Sequence, residues 1–349
     1  MPRTAVASAR VVLLETPLKR PFITAAGRRD RTVNAAIHLR LKGGAEGYGE
    51  ASTSLAQKHL TPQALRGALQ RMALRARGRD ARDWRALVDD AWKRHGALSP
   101  AVAAFEAALL SALAAEAGSN LAGWLGGAAR RLETDLTISA SNDAQQIRSA
   151  AAEAAADGFR LLKIKVGGKR ADDLARVRAV REAAPKARLL LDGNQGFAPA
   201  AALSFASAVL KTGAKVELFE QPTPKHDLAA LAFVAKRCPV PVAADESVAT
   251  PADAARAADA GVTAINIKLA KSGISRGLEI AAVARAAGLP LMIGCMAETA
   301  RGLGASVHLA LGTGFFRWCD LDSDVLLVQS EADRRGAGWT RRGRFASLD

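Results

Sequence analysis

From about residue 133 the chain alternates short apolar runs with longer amphipathic stretches in a steady metre. The apolar runs are ETDLTIS (133–139), LLKIKV (161–166), RLLLDGN (188–194), VELFEQP (216–222), PVAADES (241–247), AINIKL (264–269), PLMIGCM (290–296) and FRWCDLD (316–322). Their starts lie 23 to 28 residues apart, which is the length of one strand plus one helix. The stretches between them, such as DAQQIRSAAAEAAADG and PADAARAADAG, are alanine-rich and end on glycine, as helices do. Eight such units predict an α/β fold, a (β/α)8 barrel over residues 129–325. No glycine-rich dinucleotide fingerprint follows the first run, which weakens the open-sheet alternative.

The first 128 residues follow another pattern. TVNAAIHLRLKG followed by AEGYGEAST suggests a hairpin, and residues 62–118 are mostly helical in pattern. These features predict an α+β capping domain over 1–128, joined by the tail 326–349. The opening MPRTAVASARVVLLETPLKR reads as a first strand, because its apolar run VVLL is too short for a signal peptide and Glu15 interrupts it.

Composition narrows the classes of function. No run of 18 or more apolar residues occurs, so no membrane span is expected. Cys238, Cys295 and Cys319 have no metal-type spacing, and an odd count without a signal peptide fits a reducing cytoplasm. The net charge of +15 invites a nucleic-acid reading. However, the basic residues are scattered, aromatics are 5%, and Tyr48 is the sole tyrosine, so base-stacking platforms are scarce. A small-molecule partner is expected, with no nucleic acid and no membrane. A homo-oligomer is compatible with the sequence.

Chemistry gathers at the ends of the runs, where barrels of this kind carry their active sites. Asp192, Glu220 and Asp245 each follow an apolar strand, on the third, fourth and fifth units. Each alone reads as a helix cap or a loop acid. Three convergent carboxylates repel one another unless a cation joins them, and an all-oxygen site suits one Mg²⁺. Asp245 is favoured over its neighbour Glu246 as ligand, leaving Asn194 and Glu246 in supporting positions. On the second run, Lys163 and Lys165 point to one face, and Lys268 lies on the sixth run, opposite in an eight-stranded ring. Two lysines flanking a metal suit a substrate whose proton leaves one face and returns on the other.

Together, Lys-x-Lys, Asp-x-Asn, Glu-Gln-Pro, Asp-Glu-Ser and Ile-Lys resemble the enolase superfamily, in its muconate-lactonizing-enzyme-like subgroup. The similarity spans nearly the whole chain. It implies that Asp192, Glu220 and Asp245 bind Mg²⁺ and that Lys165 and Lys268 are the acid/base pair. The chemistry is abstraction of a proton α to a carboxylate through an enediolate, with Lys163 keeping Lys165 neutral and positioned. The subgroup includes muconate cycloisomerases, o-succinylbenzoate synthases, N-succinylamino acid racemases and dipeptide epimerases, all sharing these residues. On the eighth run, RWCDLDSD resembles the Asp-x-Asp feature of dipeptide epimerases, which implies that Asp320 and Asp322 hold a free α-ammonium. Asp324 reads as structural. PFITAAGRRDR (21–31) resembles the family's specificity loop, and Arg29 matches the arginine that Ala-Glu epimerases carry there, with Arg28 as alternative. Thr24, Thr137, Cys295, Met296 and Glu298 complete the expected substrate-binding set, and ASTSLAQKHL (51–60) is expected to act as a lid.

Overall fold

The structure is a computed structural model that describes residues 1–24 and 27–349. Strands β1 (Val6–Thr24), β2 (Gly27–Leu41) and β3 (Glu46–Ala51) form an antiparallel meander. Ala35, Ile37, Leu39 and Leu41 of β2 are buried at every second position, as in a sheet covered on one face. Helices Pro62–Ala76, Trp84–His95 and Ser99–Glu116 supply the cover. Gly47 and Gly49 let the last helix lie directly on β3. A Cβ at these positions would stand 1.9 Å from Ala108 O and 1.8 Å from Ala104 O respectively. Among the described residues, 81–116 is the one helical stretch apolar and long enough to cross a membrane, and 78% of its apolar window is buried within the protein.

Helix Ser99–Glu116 also touches the barrel. Its Glu106 is fully buried and accepts hydrogen bonds from Ile274 N (2.8 Å) and Ser275 N (2.9 Å). Those amides lie just past Gly273 (φ +69°), where helix Leu269–Ala286 breaks and resumes. The orphan donors of the resumed helix are thus capped by a carboxylate from the cap. The segment that follows Lys268 is thereby tied to the N-terminal domain.

After a short β4 (Arg131–Glu133) the chain builds the barrel from β5 (Leu136–Ile138), β6 (Leu161–Lys165), β7 (Arg188–Asp192) and β8 (Val216–Glu220). It continues with β9 (Val242–Ala244), β10 (Ala264–Lys268), β11 (Leu291–Gly294) and β12 (Phe316–Asp320). Each strand pairs in parallel with its neighbours in sequence. The seam between β5 and β12 is closed by Asp135 N–H to Cys319 O (3.0 Å) and Leu321 N–H to Thr134 Oγ1 (2.8 Å). This is the (β/α)8 barrel with an α+β cap that the metre of the sequence predicts.

Alternation along the strands stacks the interior in layers. Leu161, Leu190, Leu218, Ala243, Ala264, Met292 and Trp318 pack together as an apolar floor. Two residues further along the same strands stand Lys163, Asp192, Glu220, Asn266 and Asp320, all buried. One more step brings Lys165, Lys268 and Asp322 to the mouth.

Residues 326–349 are assigned to the cap by sequence. In the structure, β13 (Trp339–Arg342) and β14 (Phe345–Leu348) form a hairpin that pairs with β4. Buried Trp339 and Ala346 draw it there, against helix Ala300–Thr313, with Trp339 Nε1 donating to Ala300 O (2.9 Å). The tail meets β1 through the Leu18–Leu327 bridge and Val328 N–H to Pro17 O (2.9 Å).

Candidate active site

A cavity of about 500 Å³ opens where the cap covers the carboxyl ends of the barrel strands. Lys165, Asn194, Asp245, Glu246, Lys268, Asp320 and Asp322 line its barrel side. Thr24, Arg29 and the 53–57 segment line it from the cap, and Thr137, Cys295 and Met296 stand at its rim. Asp245 and Glu246 both reach it because they lie beyond the end of β9, where strand alternation no longer separates neighbours. Residues 25 and 26 of the expected specificity loop lie outside the described residues.

Lys163 occupies a different place from the one the sequence implied. It is fully buried, and its Nζ lies 2.6 Å from Glu220 Oε2, 2.6 Å from Asp320 Oδ2 and 3.0 Å from Asp192 Oδ2. Burial disfavours its charge, but Asp192, Asp320 and Glu220 outweigh it and hold the ammonium well above the ordinary lysine range. Its charge is therefore directed at three carboxylates, and Lys163 is the counter-ion of the acidic layer.

The two mouth lysines are both held by carboxylates, and Lys268 Nζ also lies 3.7 Å from Glu220 Oε1. Lys165 Nζ donates to Asp192 Oδ2 (2.6 Å), and Lys268 Nζ lies 2.8 Å from Asp245 Oδ2. Their strands, β6 and β10, are four places apart in an eight-stranded order, so the lysines face each other. The ring of Phe22 from the cap stands 5.8 Å from Lys165 Nζ.

Asp192, Glu220 and Asp245 end or follow three adjacent strands. Burial raises the Asp192 carboxyl, yet Lys163, Lys165 and Lys268 bring it well below the ordinary range. Glu220 moves the other way, to about 7, through burial and the charge of Asp192. Among the described residues, Glu220 Oε2, Asn194 Oδ1 and Glu246 Oε2 are buried without a directed hydrogen bond, although Lys163 lies near the first. Three clustered carboxylates, one of them Glu220 with an orphaned buried oxygen, beside the orphaned oxygens of Asn194 and Glu246, form an all-oxygen donor set that fits Mg²⁺. The backbone here is unusual as well: Asn194 (φ 39°), Gln195 (φ 69°) and Gln221 (φ 32°) are left-handed immediately past Asp192 and Glu220. Non-glycine residues at such angles carry strain that surrounding bonds must hold. Gln221 illustrates this, since its Oε1 accepts Asp245 N–H (2.9 Å) and Ser247 N–H (3.2 Å).

The acids of the eighth strand separate in environment. Asp320 pairs with Lys163, whereas Asp322 Oδ2 accepts Thr137 N–H at 2.6 Å and has no ion pair among the described residues. Asp324 is fully buried between Arg334 (2.8 Å) and Arg341 (2.6 Å), so it anchors the tail. Glu298 does not line the cavity. Its Oε2 accepts Met296 N–H (2.7 Å), and burial and Glu50 raise it to about 7. Arg28 is exposed and paired with Asp30 (3.1 Å), while Arg29 lines the cavity with its guanidinium 3.5 Å from Thr53 O.

Sequence reasoning missed three groups. Lys271 Nζ donates to Asp245 Oδ1 (2.7 Å) and to the Asp245 carbonyl; its only signal is its position one turn after Lys268. Asn34 Nδ2 donates to Glu50 Oε1 and Ala297 O (both 2.7 Å), and its Oδ1 accepts Thr53 N–H (3.2 Å), joining the cap sheet, the segment that follows it and a barrel loop. Asp135 lies buried beneath Asp320 and Asp322.

Fold and site define a capped (β/α)8 enzyme with two opposed lysines above a carboxylate layer. Residues 146–342 match the family described as Enolase C-terminal domain-like. The chain is 38% identical to an aromatic dipeptide epimerase of Herpetosiphon aurantiacus, covering 93% of this chain and 92% of the relative. It is 35% identical to an L-Ala-D/L-Glu epimerase of Thermotoga maritima, over 92% and 94% of the two chains. A crystal structure of the dipeptide epimerase of Enterococcus faecalis, complexed with Mg and L-Leu-L-Tyr, superposes with a TM-score of 0.89 at 28% identity, over 99% of this chain and 97% of that one. The chain belongs to the enolase superfamily.

Proposed function

We propose that this chain is a Mg²⁺-dependent dipeptide epimerase, an isomerase that inverts the α-carbon of the C-terminal residue by 1,1-proton transfer. The observation that carries this is the pair Lys165 and Lys268 on opposite walls of one cavity, with Asp320 and Asp322 in the lining between them. The dipeptide lies with its α-ammonium toward Asp320 and Asp322 and its stereocentre between the lysines. One lysine, in its neutral form, takes the α-proton, and the other delivers a proton to the opposite face. Asp192, Glu220 and Asp245 would hold Mg²⁺, which when bound supplies positive charge to the substrate carboxylate as its α-carbon is deprotonated. Leu18, Phe22, Leu326 and Leu327 cover the site and limit access of water.

The test is proton NMR in D₂O with a panel of L-Ala-L-X dipeptides, N-succinyl amino acids and muconate. Loss of the α-proton signal from free dipeptides is expected, abolished by EDTA and restored by Mg²⁺. Exchange confined to N-succinyl amino acids would instead identify a racemase.

For the inverted residue we favour glutamate or a related side chain, because Arg29 lines the cavity and has no ion pair among the described residues. The apolar neighbours Leu18, Phe22, Leu55, Leu60 and Met296 favour a second reading, a bulky hydrophobic residue. Arg29→Met separates the two. Loss of a charge-assisted bond of about 1.5–3 kcal/mol lowers kcat/KM for L-Ala-L-Glu by about 10- to 150-fold, with L-Ala-L-Phe little changed. An equal effect on both substrates removes the assignment.

We read the enzyme as cytoplasmic, acting without nucleic acid or membrane, which its three free thiols support.

A further inference from the structure

Asp135 stands just before β5, at the seam of the barrel, and its side chain is fully buried. Neither carboxylate oxygen receives a hydrogen bond from any N–H, hydroxyl or ammonium among the described residues. Oxygens of Asp135, Asp320 and Asp322 lie within 4.8 Å of one another. The donors nearby are all engaged elsewhere. Lys163 serves Asp320, Asp192 and Glu220, Thr137 N–H serves Asp322, and the Thr134 hydroxyl donates to Cys319 O (3.1 Å) while accepting Leu321 N–H. An ionised carboxylate with no donor, pressed against two others, is costly in a dry interior. A proton held between two of these carboxyl groups removes that cost, since a protonated acid is a donor.

We propose that Asp135 is a positioning residue of the ammonium subsite: it remains a neutral acid and donates its O–H to the Asp320 carboxylate. Resting on the dipeptide reading above, this fixes two properties of the subsite. Asp320 is anchored by Lys163 and by Asp135, which sets the orientation of its plane. With Asp135 neutral, the negative charge at the cavity wall is that of Asp322 and of Asp320, the latter shared with Lys163, and it complements an α-ammonium. Burial first, and then the charges of Asp320 and Asp322, push the Asp135 carboxyl well above its ordinary range against the pull of Lys163.

The experiment uses the full-length Mg²⁺-loaded protein and two near-isosteric variants, Asp135→Asn and Asp135→Leu. Asparagine retains an N–H donor for Asp320, and leucine does not. The expected result is kcat/KM for an unblocked dipeptide within about threefold of wild type for Asp135→Asn. For Asp135→Leu, KM rises about tenfold or more and kcat changes less. Equal losses in both variants would overturn the proposal. A second readout needs no substrate: infrared difference spectra of wild type against Asp135→Asn at pH 7 should contain the C=O band of a protonated acid. Its absence means that Asp135 is ionised and the proposal fails, even if dipeptides are turned over. Its presence stands even if the substrate proves to be something else. Metal analysis supplies a third arm: loss of one bound divalent cation in Asp135→Leu would make the cluster a second cation site and overturn the assignment.

Discussion

Replacing either mouth lysine by alanine should abolish epimerisation while leaving α-proton exchange in one diastereomer of the substrate. The expectation follows from the opposition of β6 and β10, which on the proposed reading gives each lysine access to one side of the stereocentre. With Lys165→Ala, Lys268 still removes and returns a proton on its own face, so that diastereomer takes up deuterium without inversion. Lys268→Ala should show the mirror behaviour. A general base contributes about 10²–10⁴-fold, so inversion should fall by at least about 10²-fold in both variants. Proton NMR in D₂O on separately prepared L,L and L,D dipeptides reads both properties at once. If one variant exchanges both diastereomers and the other neither, one base serves both faces and the two-lysine assignment is wrong.

The second large effect is expected from Asp320→Asn combined with Asp322→Asn. Each carboxylate offers a charge-assisted bond to the α-ammonium of about 1.5–3 kcal/mol, so the pair corresponds to roughly 10²–10⁴-fold in kcat/KM for unblocked dipeptides. An unchanged kcat/KM would remove the ammonium role. Asp322 adds a pH signature. Burial and the charge of Asp320 raise its carboxyl to about 6, so dipeptide binding should weaken as pH falls through about 6. Stability runs the other way. The folded value lies above the unfolded value of about 3.9, so the native state binds more protons and loses stability as pH rises between the two. Asp322→Asn alone should therefore raise Tm at pH 7 while lowering kcat/KM. A fall in Tm would mean that the carboxylate is not strained in the free enzyme.

The barrel was legible because parallel strands must alternate with helices of similar length, which leaves a metre in the sequence. The acids Asp192, Glu220 and Asp245 were legible as a cluster for a related reason: each breaks an apolar run at its C-terminal end, although only Asp245 lines the cavity while the other two are buried beneath it. Depth was not legible. Lys163 and Lys165 share a face, but only the stacking of Leu161 in the floor puts Lys163 inside the sealed acidic layer. Asp135 precedes a strand of three residues and resembles any polar residue entering one. The anchoring of the tail was not legible either, since nothing local marks Arg334 and Arg341 as the partners of buried Asp324. Long-range partners of charged residues leave no local pattern.

The acidic layer also constrains how the chain reaches its native state. Lys163 and Asp320 are 157 positions apart, and their bond spans the seam between the early and late strands of the ring. A partial barrel lacking β12 would keep Lys163 among Asp192 and Glu220 but leave Asp135 facing water. The ring therefore gains its full electrostatic balance only when the last strand docks. Fragments cut within the ring have no complete ionic layer of their own, because Lys163 of β6 and Asp320 of β12 meet only across the seam.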